Sequence, residues 1–281
     1  MEQRIVDLHV HSTASDGTFT PTELIAEAKR AGLSAMALTD HDTTAGVKEA
    51  MAAAAKENIE LIPGIELSTE YNGKEIHIVG LYIDTENKEL AEQTAAFRSC
   101  RDNRNEDMIK ALQKEGFDIT MDALKAENPD CVITRANIAR FLFNHGMIKS
   151  VQEAFDKYIG DGCKCYINRF KVTPMDAVKL IKQAGGIAVL AHPLHYHMST
   201  VNLQKLIDEL KAVGLDAIEA IYSTYTTGEE QLMKRTAKEN GLLISGGSDF
   251  HGTNKPRIKL AVGYGHLYIP YSVLEDLKAA R

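Results

Sequence analysis

The sequence lacks the features that mark secreted proteins, membrane proteins and proteins that coat nucleic acids. Its 281 residues show no charged start followed by an apolar segment, and no apolar run long enough to cross a bilayer. Lys and Arg total 32 against 39 Asp and Glu, and the net charge of −7 disfavours bulk binding to a phosphate backbone. We therefore expect a cytoplasmic protein with no membrane partner and no long nucleic-acid duplex as partner, and no obligate protein partner is evident.

Cysteine is scarce as well. Four cysteines are too few for a disulfide scaffold, no CxxC pair occurs, and the spacing of Cys163 and Cys165 is poor for a zinc knuckle. We expect reduced thiols with no special role. No internal repeat or low-complexity linker stands out, and the hydrophobic content of 44% is ordinary for a chain that buries a core.

Strand and helix patterns alternate over the first eighty residues. RIVDLHV and LSAMALT are typical of strands, and the first predicted helix begins with a capping box in which Thr20 caps, Pro21 follows and Glu23 reaches back. GVKEAMAAAAKEN indicates a second helix, and IELIPGIELS and EIHIVGLYI indicate two more strands. This order predicts an α/β fold with a largely parallel sheet, whose active groups lie at the carboxyl ends of the strands.

The pattern changes at about Glu86. A long polar helix, broken at most once, is followed by short helices, and no convincing buried strand appears before Ile187. Strand and helix then alternate again. We predict three segments: a first barrel part at 1–90, a helical insertion at 91–172 and a second barrel part at 173–281.

Histidines and acids lie in or just after the successive apolar runs. These residues are His9, His11, Asp16, Asp40, His41, Asp42, Glu66, His77, His192, Asp249 and His251. Residues two apart in a strand point the same way, so His9 and His11 can face one point. So many partly buried polar groups would be costly without compensation, and divalent metals remove that cost. Imidazole with carboxylate suits zinc, manganese or iron.

Each of these residues alone has an ordinary structural explanation. His77 alone fits a core histidine, Asp40 alone fits a helix cap, His145 fits a helix C-terminal charge and His266 a structural residue. These ordinary explanations do not account for the whole set, because chance would rarely place so many such residues at consecutive strand ends.

The motifs DLHVHSTASDG, LTDHD, GIE, IHIVG, LAHP and GSDFH occur in the order found in the PHP (polymerase and histidinol phosphatase) family, which this sequence resembles over most of residues 1–84 and 174–281. The resemblance implies a distorted (β/α)7 barrel, similar to a TIM barrel, with an inserted small helical domain. It also implies a trinuclear metal centre at the carboxyl ends of the strands, in which two to three divalent ions (Mn, Zn or Fe) are bound.

The resemblance implies a role for each motif position. His9, His11, Glu66 and Asp249 would bind one metal, His77 and His192 a second one that Glu66 bridges, and Asp16, His41 and His251 a third. Asp249, His192 and Glu66 would be the catalytic members. Asp7 and Asp40 match positions that would orient the ligating imidazoles from behind.

A hydrolase acting on phosphoric esters follows from such a centre. Closely spaced divalent ions generate hydroxide near neutral pH and neutralise phosphate oxygens and the leaving alkoxide. An amidohydrolase would usually use a lysine or carboxylated lysine as a bridge, and these motifs contain no lysine.

The candidate substrate-binding residues are Arg135, Asn137, Arg169 and His195. A guanidinium over the barrel mouth would bind a second phosphate, and helical spacing places Arg135 and Arg140 on different faces. We expect Arg98, Arg101 and Arg104 to be solvated surface residues.

The inserted TRANIAR segment resembles the PHP subgroup of 3′,5′-nucleotide bisphosphate phosphatases and 5′→3′ exoribonucleases. Release of the 3′-phosphate of a nucleoside 3′,5′-bisphosphate is the first expectation. The alternatives are an exoribonuclease on short 5′-phosphorylated RNA, a phosphatase of the histidinol phosphate type, and a noncatalytic metal-stabilised interaction module.

Overall fold

The computed structural model describes residues 4–129, 131–167 and 172–281. Its seven strands are β1 (Ile5–Val10), β2 (Leu33–Leu38), β3 (Glu60–Tyr71), β4 (Lys74–Leu81), β5 (Ile187–Leu190), β6 (Ala217–Tyr222) and β7 (Leu243–Gly247). They form one sheet in which each strand pairs with the next in sequence. β4 is antiparallel to both of its neighbours, and every other neighbouring pair is parallel.

The sheet curls until its first strand meets the segment after its last. The His11 N–H donates to the Phe250 carbonyl at 3.0 Å, and the Asp249 N–H donates to the His9 carbonyl at 2.8 Å. Gly247 is needed at this seam, because a Cβ there would lie 2.1 Å from the Cβ of His9. The predicted distorted seven-stranded α/β barrel is therefore confirmed, and its closure brings the ends of β1 and β7 together.

Helices cover the outside of the barrel. They are α1 (Pro21–Arg30), α2 (Val47–Glu57), α7 (Pro174–Gln183), α8 (Thr200–Lys211), α9 (Thr227–Glu239) and α10 (Tyr271–Ala279). The predicted capping box starts α1: the Glu23 N–H donates to Thr20 Oγ1, and the Thr20 N–H donates to the Glu23 carboxylate. α10 packs Leu274 and Leu277 with strand residues such as Val6, and its first N–H bonds to the Arg4 carbonyl. It therefore covers the amino-terminal side of β1 and leaves the carboxyl ends of the parallel strands open.

Four helices lie between β4 and α7 in the residues described there. They are α3 (Lys88–Lys114), α4 (Met121–Glu127), α5 (Arg135–Asn144) and α6 (Val151–Ala154), and the last continues as a π-helical turn over Phe155–Ile159. These helices bury their own apolar cluster, which includes Met108, Leu112 and Leu142. We call this group of helices the insertion; the borders 91 and 172 stay a prediction. No helix in the described part of the chain is long and apolar enough to cross a bilayer.

The structure settles two local features that the sequence pattern left open. α3 runs for 27 residues without a break. β4 runs against its neighbours because Asn72 and Gly73 form a tight turn that reverses the chain directly after β3. His77 pairs with Ser68 of β3, so it reaches the open end of the barrel from the first half of a strand and not from a carboxyl end.

Candidate metal centre

The side chains predicted to bind metal meet at the open end of the barrel. They are His9, His11, Asp16, His41, Glu66, His77, His192, Asp249 and His251. All except His77 are buried. Strands β1, β3 and β4 carry three of them directly, and the segments after β1, β2, β5 and β7 supply the rest. The structure therefore brings the complete predicted set together.

Glu66 lies at the centre of this cluster, and its two oxygens face different histidines. Oε2 is 3.2 Å from Nε2 of both His9 and His11. Oε1 is 2.9 Å from His77 Nδ1 and 3.2 Å from His192 Nε2. A carboxylate placed between two pairs of imidazoles would be able to serve two cations, one together with each pair of rings.

Asp249 completes the group on the His9 side of Glu66. Its Oδ1 is 3.3 Å from His11 Nε2 and 3.8 Å from His9 Nε2. Its Oδ2 accepts hydrogen bonds from the Tyr222 hydroxyl and from Lys255 Nζ, both at 2.5 Å. One oxygen of Asp249 is thus held by the protein, and the other faces the histidines.

A third group surrounds Asp16. Asp16 Oδ1 is 3.1 Å from His251 Nε2, and Asp16 Oδ2 is 3.9 Å from His41 Nε2. The Thr134 hydroxyl of the insertion donates to Asp16 Oδ2 at 2.8 Å. His41 also approaches Glu66, with its Nδ1 3.1 Å from Oε2, so its ring lies between Asp16 and Glu66.

Several ring nitrogens of the cluster are buried without a hydrogen bond, and this shows whether the residues fit metal ions. Among the described residues they include His9 Nε2, both nitrogens of His11, His41 Nδ1 and His77 Nδ1. Such atoms are costly to bury unless something else binds them. Three sets of residues each have donor atoms that all lie within 4.8 Å of one another. The sets are His11, Asp16, His41 and His251; His9, His11 and Glu66; and His41, Glu66 and His77. The residues therefore fit a cluster of divalent cations bound by nitrogen and oxygen.

The carboxylates of the cluster are in the state that cations require. Burial raises the pKa of Glu66, but the neighbouring His9, His77 and His41 bring it well below its ordinary value. The pKa of Asp16 is likewise well below its ordinary value, because His251 and His41 outweigh burial. Lys255 and His251 do the same to the pKa of Asp249. The three carboxylates are therefore ionised at neutral pH, which is the state in which they bind cations.

Two of the candidate ligands lie on strained backbone. His192 has φ of 27° and Asp249 has φ of 55°, in the left-handed region that side chains with a Cβ rarely adopt. Such conformations cost about 1–3 kcal/mol each and persist where the surroundings fix them. The Asp249 N–H is fixed by the seam with β1, and the His192 N–H is fixed by Glu219 at 2.8 Å.

The motif positions of Asp7 and Asp40 implied that they orient the imidazoles. Their hydrogen bonds go to other groups instead. Asp7 accepts the backbone N–H groups of Ser248 at 2.8 Å and Ala261 at 3.0 Å. Asp40 accepts the Ser12 N–H at 2.8 Å and the hydroxyls of Ser12 and Ser15 at 2.6 Å. Both carboxylates bond to backbone or hydroxyl donors near the ligands, so they shape the loops that carry His11, Asp16 and Asp249.

Sequence reasoning missed two carboxylates outside the predicted ligand set that contact the imidazoles. Glu219 Oε1 lies 2.9 Å from His9 Nδ1, and Glu75 Oε1 lies 3.2 Å from His77 Nε2. Both carried a readable signal. Glu219 interrupts the apolar strand AIEAIY, and Glu75 is two residues before His77 and so on the same strand face. Lys255, which contacts Asp249, lies outside the motifs and carried no such signal.

A cavity of about 1020 Å³ opens over the cluster. Residues of the insertion form one wall, and the segment 254–264 with Lys255, Arg257 and Tyr264 forms another. Arg135 and His195, both predicted to bind substrate, line this cavity. His195 Nε2 is 2.7 Å from Thr224 Oγ1, and Arg135 is paired with Glu75 at 2.9 Å and Asp161 at 3.0 Å.

Asn137, which was also predicted to bind substrate, does not line this cavity. Asn137 lines a separate, smaller cavity and closes the capping box of α5, accepting the Thr134 N–H at 2.8 Å. Its amide nitrogen donates to Asn128 Oδ1 at 2.9 Å. Arg169 lies outside the described residues. Arg140 also lines the smaller cavity, so the expectation that it and Arg135 face different ways is confirmed.

The prediction that Arg98, Arg101 and Arg104 are solvated is wrong. Arg101 and Arg104 are buried, with 2% and 3% of their surface exposed, and Arg98 is half-buried. Arg101 pairs with the Asp42 carboxylate and donates to Ser68 Oγ at 2.7 Å. Arg98 donates to the Asp42 carbonyl at 2.8 Å, and Arg104 lies 3.7 Å from Glu75. The sequence of α3 does not reveal these contacts, because the acidic partners of the arginines lie on the barrel and not on the helix.

Known proteins resemble this chain in sequence. A family model described as the PHP domain matches residues 7–160. A 5′-3′ exoribonuclease of Haemophilus influenzae is 40% identical over 87% of this chain and 89% of its own length. A 3′,5′-nucleoside bisphosphate phosphatase of Chromobacterium violaceum is 37% identical over 88% of this chain and 87% of its own length.

A solved structure shares the fold. It is an amidohydrolase from Chromobacterium violaceum with bound sulfate and no metal, which is 34% identical and superposes with a TM-score of 0.88 over 98% of this chain and 96% of that one. The match extends through the barrel and the insertion alike.

Proposed function

The chain belongs to the PHP family of phosphoester hydrolases, and from that premise we propose that it removes the 3′-phosphate from nucleoside 3′,5′-bisphosphates to leave 5′-nucleotides. The observation that carries the proposal is the cluster around Glu66 at the floor of a cavity whose wall presents Lys255 and Arg257. The floor suits cations and the wall suits anions, which is the arrangement a phosphate ester needs.

We assign three cation positions to the cluster, for Mn, Zn or Fe. The first lies among His9, His11, Glu66 and Asp249; the second among Glu66, His77 and His192; the third among Asp16, His41 and His251. Bound ions of this kind stabilise phosphate oxygens and the leaving alkoxide and lower the pKa of a water molecule. Glu66, His192 and Asp249 are the members we propose as catalytic.

The residues of the chain have distinct tasks in this proposal. Tyr222 and Lys255 hold Asp249 Oδ2, so that Oδ1 keeps its direction towards His11. Arg257 adds an exposed positive charge at the cavity wall. His195 offers a hydrogen bond to the substrate from the rim, and Arg169 stays a proposed substrate contact on its sequence alone. The 5′-phosphate would lie among these groups.

The size of the cavity favours one second candidate. About 1020 Å³ is at the upper end of the range for small-molecule pockets, which leaves room for more than one nucleotide. A relative of 40% identity carries the name 5′-3′ exoribonuclease. Cleavage of short 5′-phosphorylated RNA would use the same cluster, with the 3′-phosphoester carrying the rest of the chain.

One assay separates the candidates. The purified protein with added Mn²⁺ is given adenosine 3′,5′-bisphosphate, a 5′-phosphorylated RNA pentamer and histidinol phosphate, and the release of phosphate and AMP is measured. We expect the highest kcat/KM with the bisphosphate. AMP release from the RNA alone would replace the first candidate by the second, and no turnover of any substrate would refute both. The Asp249→Ala protein, prepared in parallel, controls for contaminating phosphatases.

A further inference from the structure

His77 lies between two carboxylates, and only one of them belongs to the set predicted to bind metal. Its Nδ1 is 2.9 Å from Glu66 Oε1, and its Nε2 is 3.2 Å from Glu75 Oε1. The Glu75 side chain is only 13% exposed. Glu75 and His77 are two residues apart on β4, so both project from the same face of the strand.

The second oxygen of Glu75 faces two arginines of the insertion. Arg135 Nη2, at the start of α5, is 2.9 Å from Glu75 Oε2, and Arg104 Nη1, from the middle of α3, is 3.7 Å away. The Arg104 side chain is almost fully buried, with 1% of it exposed. A carboxylate in such surroundings is costly unless cations compensate it, and these two guanidinium groups do so.

We propose that Glu75 is a positioning residue of the metal centre, held in place by Arg104 and Arg135. It accepts the Nε2–H of His77, which fixes the tautomer whose Nδ1 lone pair is free and directed at the Glu66 side. This inference rests on the proposed function only in taking His77 as a metal ligand. The protein already contains a parallel arrangement, because Glu219 lies 2.9 Å from His9 Nδ1 and leaves Nε2 facing Glu66.

The proposal changes the role of Arg135. The sequence suggested a substrate contact, whereas the guanidinium is shared between Glu75 and Asp161. Arg135 therefore acts on the centre through Glu75, and the insertion supplies a part of the centre as well as a wall of the cavity. A change in Arg135 is expected to disturb metal binding before it disturbs substrate binding.

Metal affinity measures this role directly. Metal-free protein is titrated with Zn²⁺ against a chromophoric chelator, and the bound ions are counted by mass spectrometry. In Glu75→Gln we expect one site to weaken by about 10–100-fold, as for other outer partners of metal-binding histidines, while the remaining sites keep their affinity. Arg135→Met should weaken the same site in the same direction.

Asp161→Asn is the matched control. It removes a carboxylate from the same arginine without touching His77, and its side chain is 51% exposed, so all sites should keep their affinity. Zn²⁺ binding by Glu75→Gln that equals the wild type at every site would overturn the proposal. The same loss in Asp161→Asn would also overturn it, because a carboxylate without contact to His77 would then matter as much as Glu75.

A second measurement needs no folded variant at Glu75. In wild-type protein loaded with Zn²⁺, nitrogen-15 NMR of the histidine rings reports the tautomer of His77, assigned by loss of its signal in His77→Asn. We expect the proton on Nε2. A proton on Nδ1 would refute the proposal even if the enzyme were active, whereas inactivity towards nucleotides with the proton on Nε2 would refute only the proposed function.

Discussion

Two carboxylates of the barrel lie behind the same group of histidines, but the barrel compensates the charge of one and the insertion that of the other. Glu219 on β6 uses barrel partners, with His9 Nδ1 at one oxygen and the backbone N–H of His192 at the other. Glu75 on β4 depends on Arg104 and Arg135, which come from helices of the insertion. The barrel thus fixes its side of the centre through its own sheet, and the other side is completed by packing between two separate parts of the chain.

The largest effect is expected where the barrel alone carries the site. Asp249→Ala should lose bound metal and lower kcat/KM by more than about 100-fold, since loss of a ligand exceeds the effect of altering an outer partner. Metal content by mass spectrometry and phosphate release are measured on the same sample. Asp276→Ala, on the exposed face of α10, is the control and should change neither. Retention of full metal content in Asp249→Ala would remove Asp249 from the centre.

The next largest effect concerns the free energy of unfolding, to which the contact between the insertion and the barrel contributes. Arg101→Met leaves the buried carboxylate of Asp42 without its guanidinium, and loss of one partner of a buried pair costs about 3–5 kcal/mol of the free energy of unfolding. Urea unfolding of metal-free protein measures this without a contribution from metal binding. Lys110→Met breaks an exposed pair with Asp107 on the same helix and should cost about 0–1 kcal/mol. Equal losses in both variants would mean that Arg101 is as solvated as its sequence suggested.

The two regions were not equally predictable from the sequence. Strand period and strand-end position correctly predicted most of the cluster, including His9, His11 and Asp249, because a sheet fixes both the direction of a side chain and the edge at which it emerges. The same reasoning failed for Arg101 and Arg104. A helix with few apolar residues gives no reliable buried face, and the acidic partners of these arginines lie on β4 and in the segment after β2.

The reversal of β4 illustrates a second limit. An apolar run predicts a strand but not its direction, so the entry of His77 from the first half of β4 depended on the Asn72–Gly73 turn. Motif order was informative about which residues converge. It was not informative about outer partners, where Asp7 and Asp40 turned out to bond to backbone and hydroxyl groups and Glu219 and Glu75 contact the rings.

A smaller effect tests whether Asn137 of the insertion stabilises α5 or binds substrate. Asn137→Ala removes the side chain that accepts the Thr134 N–H and should cost about 1 kcal/mol of stability, as expected for a helix capping group. KM for the bisphosphate should stay within about twofold, since a group away from the substrate gives no binding energy to lose. Asn144→Ala, exposed at the far end of the same helix, should change stability by less than about 0.5 kcal/mol. A large rise in KM for Asn137→Ala would restore its predicted contact with substrate.

An effect of similar size concerns His195, which lies at the rim of the cavity. Partial burial and the nearby His192 lower the pKa of His195 to about 4, so its ring gains a proton only as the pH falls through that value. Bound cations would lower this pKa further. His195 should therefore act as a neutral hydrogen-bonding group, and His195→Gln should raise KM by about 2–10-fold, the worth of one such bond. The ratio of wild-type to variant kcat/KM should stay constant between about pH 5.5 and 8. His197→Gln, outside the cavity lining, is the control. A ratio that falls as the pH rises through 6.5 would show instead that a charged imidazole binds the phosphate.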